Sequence, residues 1–405
     1  MSVTKNIGHI IKNLREYASL HELFNILNTH GEARLVGGCV RDMLMGYNVK
    51  DIDIAINLEP HIVQKILEEQ QIRCIPTGIK FGTITALMDE TSFQITSLRQ
   101  DLRCDGRHAT VSFSTDWEED AKRRDFTFNA LYTDLDGTIY DYHHGLSDLE
   151  QKRVRFIGEP EQRIEEDYLR ILRYFRFLSY IGIHQIDIPS LVATQTLAEN
   201  LSLISGERIQ SEMLTLFGNK FAKDAFVLLC THGIHHHLGM PALQVNLLEQ
   251  LNMIQNEPLI NLAAILKINK ATQEQISSLS RRWRLSTKDR NLLQHLCLSE
   301  NIFNTEQPIA LHKQNCYRLG KGLYEKHALI YLVMHKYDQQ TYDQTMSILN
   351  TLRQWIEPHF PISGEDLLAI GLIGEQVGEA LRYMEDQWVA SDFALTKEQL
   401  FQRLR

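Results

Sequence analysis

Two aspartates one residue apart, Asp51 and Asp53, stand in the stretch Leu35–Ile56, LVGGCVRDMLMGYNVKDIDIAI. Read as a strand, Ile52–Ile56 places Asp51 and Asp53 on one face and Ile52 and Ile54 on the other. Two adjacent carboxylates repel unless a cation sits between them, and Mg²⁺ takes carboxylate oxygens together with substrate phosphates. Ahead of them, Leu35–Val36 reads as a buried strand ending at Gly37–Gly38, and Val40, Met43 and Leu44 then recur at helical spacing. Glycines lack a Cβ, so their N–H groups can approach a phosphate, and a helix start adds its positive end. Together the two halves describe a site for a nucleoside triphosphate and its metals, where two ions activate a hydroxyl and stabilise the leaving pyrophosphate. Either half alone is better read as a glycine turn or a solvated acidic strand; their joint spacing is what points to chemistry.

The elements around this stretch are mixed. Residues 1–33 form a helical lead-in, with Ile7, Ile10, Ile11, Leu14 and then Leu20, Leu23, Phe24, Ile26 and Leu27 at helical spacing. From 34 to about 145 the pattern turns to short strands, Thr83–Leu87, Ser92–Thr96 and Thr138–Asp141 after the Asp136–Gly137 turn, with a helix around His61–Glu69. The polar, poorly periodic stretch between Arg99 and Glu119 reads as a mobile loop. Beyond about 150 the chain is helical nearly to its end, and Ser363 or Gly364 marks a helix entry. The expected fold is an α+β head, a mixed or antiparallel sheet with flanking helices, followed by an all-α remainder.

A chain of 405 residues implies two to three domains. Its 43% apolar and 23% charged residues are those of an ordinary globular protein, and no apolar run approaches a bilayer span. Lys5, Lys12, Arg15 and Glu16 come with no apolar h-region, so a secretory signal is not expected, and six scattered cysteines without a CxxC pair argue against a zinc ribbon or disulfide framework. A reducing compartment, the cytoplasm, is the expected placement. The net charge of −9 means that any nucleic-acid surface must be a local basic patch. Arg281–Arg282–Trp283–Arg284 with Lys288, Arg290, Lys267 and Lys270 is the candidate; Trp283 could stack on a base, and the alternative is a solvated helix face. The run His232–His237 has no Cys, Asp or Glu completing a spaced metal set.

Four segments resemble one family. Residues 35–56 resemble the head motif of the nucleotidyltransferase superfamily shared with DNA polymerase β, in the variant of bacterial class II tRNA nucleotidyltransferases (CCA-adding enzymes) and poly(A) polymerases. Arg123–Ala130, RRDFTFNA, is similar to the family's RRDFTxNA motif; Asp141–Leu149 resembles its turn from head to neck; Glu166–Arg173 resembles its EDxxRxxR helix. The resemblance covers about residues 30–180 and implies a head over 1–148, a helical neck over 149–215 and a helical, RNA-binding body and tail over 216–405. It also implies template-independent addition of CCA to a tRNA 3′ end from CTP and ATP, with Mg²⁺ as cofactor, the tRNA 3′ end and acceptor arm as partner, and neither a membrane nor an obligate protein partner.

On that footing Asp51 and Asp53 are the catalytic metal ligands. Gly38 offers its N–H and Arg41 its charged fork to the triphosphate, the alternative for Arg41 being an ion pair with Asp42. Arg124 contacts phosphate, Asp125 accepts from a ribose hydroxyl, and Asn129 suits a bidentate contact, while Phe126 and Phe128 share the inner face of a strand as core. Asp167, Arg170 and Arg173, three apart, fall on one helix face. An Asp acceptor beside an Arg donor can pair with a base edge that shows an amino group next to a ring-nitrogen acceptor, as cytosine and adenine do. Arg176 reaches phosphate or braces the helix. The alternative is an amphipathic helix laced with ion pairs.

Two departures from the family pattern stand out: Gln94 where a third carboxylate is common, and Phe81 in place of a His. The loop over 99–119 is expected to move in the switch from C to A addition. Rival readings are a poly(A) polymerase, a CC-only or A-only sibling, and a non-catalytic binder of tRNA or nucleotide; the poor basicity of residues 351–405 argues against the first and the intact Asp pair against the last.

Overall fold

Strand side chains alternate between two buried faces in the N-terminal part of the chain, and this dictates a sheet covered on both sides. The computed structural model describes residues 7–14, 16–49, 51–89, 91–105, 108–335 and 338–404. Lys5 and Arg15, and Gly106–Arg107 of the polar stretch, lie outside them. Helices α1 (Gly8–Lys12) and α2 (Tyr17–Asn28) lead into β1 (Ala33–Val36), α3 (Gly38–Met45), β2 (Ile52–Ile56) and α4 (Pro60–Glu69). Strands β3 (Arg73–Gly78), β4 (Thr83–Met88), β5 (Thr91–Ser97), β6 (Arg99–Asp105) and β7 (His108–Phe113) follow, then α5 (Trp117–Lys122), β8 (Leu131–Thr133) and β9 (Ile139–Asp141). The described residues form a seven-stranded sheet in the order β3-β4-β5-β2-β1-β8-β9. It is mixed, because β2 and β5 run parallel across the crossover through α4 while their neighbours are antiparallel. Leu35, Ile52, Ile54 and Ile56 pack on one side with Phe24, Val40 and Leu67. Val36, Ala55 and Tyr132 pack on the other with Trp117 and Ala121.

The stretch expected as a loop over 99–119 is instead largely ordered. Arg99–Asp105 and His108–Phe113 pair as an antiparallel two-stranded sheet apart from the main one, and Asp116 caps α5 by accepting from Glu118 N at 2.8 Å. The pairing of a hairpin is carried by backbone groups, which hydrophobic periodicity does not register.

After β9 the chain becomes helical: α6 (Gly145–Glu150), α7 (Pro160–Glu166), α8 (Arg170–Ile181), α9 (Ile188–Thr196), α10 (Gly206–Gly218) and α11 (Ala222–Thr231). Asp141 begins α6 by accepting from Gly145 N at 2.8 Å and Leu146 N at 3.0 Å. A Cβ on Gly145 would stand 2.3 Å from the Thr127 carbonyl oxygen, so glycine is required for this close approach. The fully buried Asp148 accepts from the Thr127 hydroxyl at 2.6 Å and from Arg155 Nε at 2.8 Å, its charge balanced by Arg153 and Arg155.

The chain divides into two compact units, Met1–Met240 with Arg282–Arg284, and Pro241–Arg281 with Leu285–Arg405. The second unit is all helical, from Val245–Leu248 to Lys397–Leu404. It is built on one cluster around Phe303, Tyr324 and Leu352 and another around Leu367, Met384 and Trp388. Ser363 caps the helix Gly364–Ala369 in a capping box with Asp366, in keeping with the expected entry. No helix of the described residues is long and apolar enough to cross a membrane.

Candidate active site

The glycine bend forms because β1 ends against β2 and the chain must turn at once into α3. Gly37 takes φ +75°, and a Cβ there would stand 3.3 Å from Arg124 Nη1, so both the backbone and the neighbouring guanidinium call for glycine. Gly38 opens α3, whose first N–H groups face away from any intrahelical acceptor. The antiparallel register Leu35↔Ile54 brings the end of β1 alongside the start of β2, where Asp53 stands half-buried and Asp51 exposed. Burial raises the Asp53 carboxyl above its ordinary range; Arg124 opposes this and the Asp51 charge adds to it. A bound cation would relieve that repulsion. Across the parallel register Asp53 pairs with Gln94, so an amide occupies the adjacent position on β5.

Two arginines flank the bend. Arg124 donates through Nε and Nη2 to Asp120 Oδ2 at 3.3 and 3.1 Å, and the Tyr132 hydroxyl donates to the same oxygen at 2.7 Å. Burial disfavours the Arg124 charge, yet Tyr132 and Asp120 more than offset it and keep the guanidinium protonated. Arg41 donates to Asp42 Oδ1 at 2.9 Å and to Asn129 Oδ1 at 2.8 Å. The ion-pair alternative for Arg41 is therefore present, in a side chain that also faces the cavity described below.

The segment Asp125–Asn129 departs from the expected strand: Thr127–Asn129 is a 3₁₀ turn. Phe126 and Phe128 still stack on each other, fully buried, with ring centroids 5.7 Å apart. The turn brings Asn129 Nδ2 to Asp125 Oδ1 at 3.0 Å, and Arg173 Nε reaches Asp125 Oδ2 at 2.7 Å. Burial would raise the Asp125 carboxyl, but Arg173, Asn129 and the Phe126 N–H hold it well below the usual range.

Asp167 does not lie on the same helix as Arg170 and Arg173. It ends α7 with φ −159° and ψ 104°, and its Oδ1 accepts from Leu169 N at 3.2 Å. An aspartate that bonds the backbone two residues on offers the chain an alternative to helix, and here that alternative wins. Arg170 pairs with Glu166, which also takes Arg163, while Asp167 pairs with Arg208 at 2.6 Å. Arg208 and Glu212, four apart on α10, were not anticipated; Glu212 takes Arg176 and Arg173. An Arg and a Glu one turn apart on a helix was the available signal, but it is common on solvated faces.

These parts line one cavity of about 740 Å³. It gathers Gly38, Arg41, Asp51, Asp53, Arg124, Asp125, Asn129, Asp167, Arg170, Arg173 and Arg176, together with Gly37, Leu169, Phe177 and Arg208. Guanidinium groups outnumber carboxylates in it, a local reversal of the acidic whole that suits a polyanion. Among the described residues no group of three or more His, Cys, Asp and Glu stands ready to hold a metal alone. A site made of two carboxylates fits Mg²⁺ when substrate phosphates and waters complete its shell.

The basic run behaves differently from the sequence reading. Trp283 is fully buried, its indole N–H donating to the Leu238 carbonyl at 2.8 Å, so it cannot stack on a base. Arg282 donates to the Ile204 and Leu201 carbonyls, and Lys267 to those of Leu296 and Ser299. Those cations satisfy chain ends that periodicity cannot reveal. Arg281, Arg284 and Lys288 remain exposed.

A family profile for the "Poly A polymerase head domain" matches residues 33–155, and one for the "Probable RNA and SrmB- binding site of polymerase A" matches 185–246. The mouse (Mus musculus) mitochondrial CCA tRNA nucleotidyltransferase 1 is 34% identical over 402 residues, covering 96% of this chain and 89% of its own length. The CCA-adding enzyme of Lactobacillus johnsonii is 35% identical over 286 residues, covering 68% and 70%. In fold, the Bacillus stearothermophilus CCA-adding enzyme in complex with CTP matches with a TM-score of 0.77 at 24% identity, over 97% of this chain and 98% of that one. The Thermotoga maritima enzyme complexed with tRNA matches at 0.69 and 18% identity, over 100% and 99%. A mixed-sheet head with an acidic pair beside a glycine bend, followed by helices and joined to relatives along nearly the whole chain, makes this protein a nucleotidyltransferase, a member of the family of tRNA nucleotidyltransferases and poly(A) polymerases.

Proposed function

We propose that this chain adds CCA to the 3′ end of tRNA, taking CTP and ATP in turn and choosing them with its own side chains. The observation that carries the proposal is the single cavity in which the acidic pair, the glycine bend and the arginine-lined α8 converge. Divalent ions held by Asp51 and Asp53 would activate the attacking 3′-hydroxyl and neutralise the leaving pyrophosphate. The protein's own part is positioning. The first turn of α3 receives the phosphate chain at Gly38, and Arg41 and Arg124 balance its charge, each held in place by an aspartate. Asp125, fixed as a carboxylate by Arg173, has lone pairs to accept from a ribose hydroxyl. Asp167, oriented by Arg208, and Arg170, oriented by Glu166, present an acceptor and a donor that match the amino group and ring nitrogen shared by cytosine and adenine. Guanine and uracil invert that pattern and would leave both groups unpaired, a strong basis for rejection.

The β6–β7 hairpin is our candidate for the element that moves between C and A addition. Shortening it is expected to spare C incorporation and cripple the final A, and intact A addition would remove it from the mechanism. The match of residues 185–246 to an RNA-binding profile, and the likeness in fold to an enzyme complexed with tRNA, support the tRNA 3′ end and acceptor arm as the partner. Free thiols at Cys39, Cys74, Cys230, Cys297 and Cys316 support a reducing compartment such as the cytoplasm. The deciding assay offers a tRNA transcript lacking its 3′ end with each triphosphate singly and in pairs, and sequences the product. A terminal CCA from CTP plus ATP supports the proposal. A homopolymer of A, or arrest after CC or before it, assigns the chain to one of the sibling activities.

A further inference from the structure

The geometry points to an aromatic shelf on α8, Phe177 with Tyr180, as the device that fixes the distance between Arg41 on α3 and Arg173 and Arg176 on α8; Phe177 is thus a positioning residue for nucleotide binding. This rests on reading the cavity as a nucleotide site. Phe177 is only 3% exposed yet lines the cavity. Three guanidiniums surround its ring: Arg176 with its central carbon 4.2 Å from the centroid, Arg41 at 5.2 Å and Arg173 at 5.6 Å. Arg41 is also 5.0 Å from the Tyr180 ring. Arg41 comes from α3, behind the glycine bend, whereas the other two share α8 with the rings.

Three like charges around one point repel, so something must hold them together. Each has a carboxylate, Asp42 for Arg41, Asp125 for Arg173 and Glu212 for Arg176, and Glu212 also stands 3.7 Å from Arg173, but none of the three carboxylates joins the α8 arginines to Arg41. The ring is the one group all three share. Its π face attracts guanidinium while carrying no net charge, so unlike a further carboxylate it cannot repel an incoming triphosphate. The ring itself is fixed edge-on by Phe126, at 5.2 Å and 73°, and by Phe128, at 5.3 Å and 71°. Those two belong to the segment Asp125–Asn129 that carries both Asp125 and Asn129. Tyr180 completes the lock, its hydroxyl donating at 2.9 Å to the same Asp42 oxygen that takes Arg41. Arg173, which holds the Asp125 carboxylate, and the phosphate grip on α3 therefore share one rigid, neutral reference surface.

The test compares Phe177→Leu with Phe156→Leu in steady-state addition of C and A to a truncated tRNA transcript, alongside thermal melting. Phe156 belongs to the same aromatic cluster, 4.7 Å from Phe126, and none of these arginine contacts involves it. Phe177→Leu is expected to raise KM for CTP and ATP about tenfold, with kcat within about threefold, on the scale of one or two desolvated cation–π contacts. Phe156→Leu is expected to lower Tm with KM unchanged. An unchanged KM in Phe177→Leu, or the same KM rise in Phe156→Leu at equal loss of Tm, overturns the proposal. Should Phe177→Leu not fold, Tyr180→Leu against Tyr180→Phe decides: the shelf requires KM to rise further in the first, which loses ring and hydroxyl, than in the second, which loses the hydroxyl alone, and equal values refute it. Failure of the wild-type protein to add C or A at all would instead overturn the functional reading and is scored separately.

Discussion

Replacing Asp120 by Asn tests whether the phosphate-side arginine is held by one buried carboxylate. Asp120 is 1% exposed and accepts from Arg124, from Arg123 Nε at 2.9 Å and from the Tyr132 hydroxyl at 2.7 Å. Burial alone would raise its pKa, but the Arg124 and Arg123 guanidiniums and the Tyr132 hydroxyl overcome this and hold it at about 2. The fall from the ordinary 3.8 corresponds to about 2 kcal/mol of stability. Because the folded-state value is depressed, that contribution is full above pH 3.8 and is lost as pH falls toward about 2. Asn removes the charge and turns an N–H toward donors that already point inward, leaving Arg124 buried and uncompensated. Breaking such a pair costs roughly 3–5 kcal/mol. At about 2–4 °C per kcal/mol for a unit of this size, Tm is expected to drop by roughly 6–20 °C. Calorimetry of the wild-type and Asp120→Asn proteins from neutral pH to acid should show the drop, and an acid limb flattened in the variant. KM for CTP should rise as Arg124 loses its anchor. A variant melting within about 2 °C of wild type, with the same acid limb, would refute the reasoning.

Four further outcomes follow from the same geometry. Asp51→Ala and Asp53→Ala should each cut nucleotide transfer by at least about 10²–10³-fold while CTP binding persists, and single-turnover rates near wild type in either would end the metal assignment. Gln94→Glu places a carboxylate beside Asp53 and should lower the Mg²⁺ concentration for half-maximal rate several-fold, read by titrating the metal, with no change or an increase counting against it. Arg208→Ala frees Asp167 and should raise misincorporation of U and G about tenfold, measured by sequencing products made with mismatched triphosphates. Trp283→Phe should cost about 1–3 kcal/mol by orphaning the Leu238 carbonyl while tRNA affinity in a gel-shift assay stays constant.

Much of the site could be read before the fold because its chemistry is local. A glycine bend, a helix start and an acidic pair fall within Leu35–Ile56, and a single strand-to-helix turn brings them together. What escaped the sequence were choices made by partners far along the chain. Arg208 becomes meaningful only when α10 packs against α8 and meets Asp167, and nothing in its own neighbourhood announces that. Asp167 looked helical by spacing, since periodicity does not register a side chain that bonds its own backbone and breaks the helix. The β6–β7 hairpin pairs only with itself, apart from the main sheet, and its polar sequence carries no alternation that would announce it. Trp283 was misjudged for the opposite reason: composition suggested a nucleic-acid surface, whereas folding spent that indole on a carbonyl in its own unit.

Gly145 does not line the cavity, yet its hydrogen atom faces the Thr127 carbonyl with less clearance than a methyl requires. Thr127 opens the short turn that ends in Asn129, itself bonded to both Asp125 and Arg41. A saturation-mutagenesis map scored on turnover would therefore mark this joint as intolerant as the acidic pair. The tolerances of the candidate site are machined where two bare backbones meet, at a position outside the cavity itself.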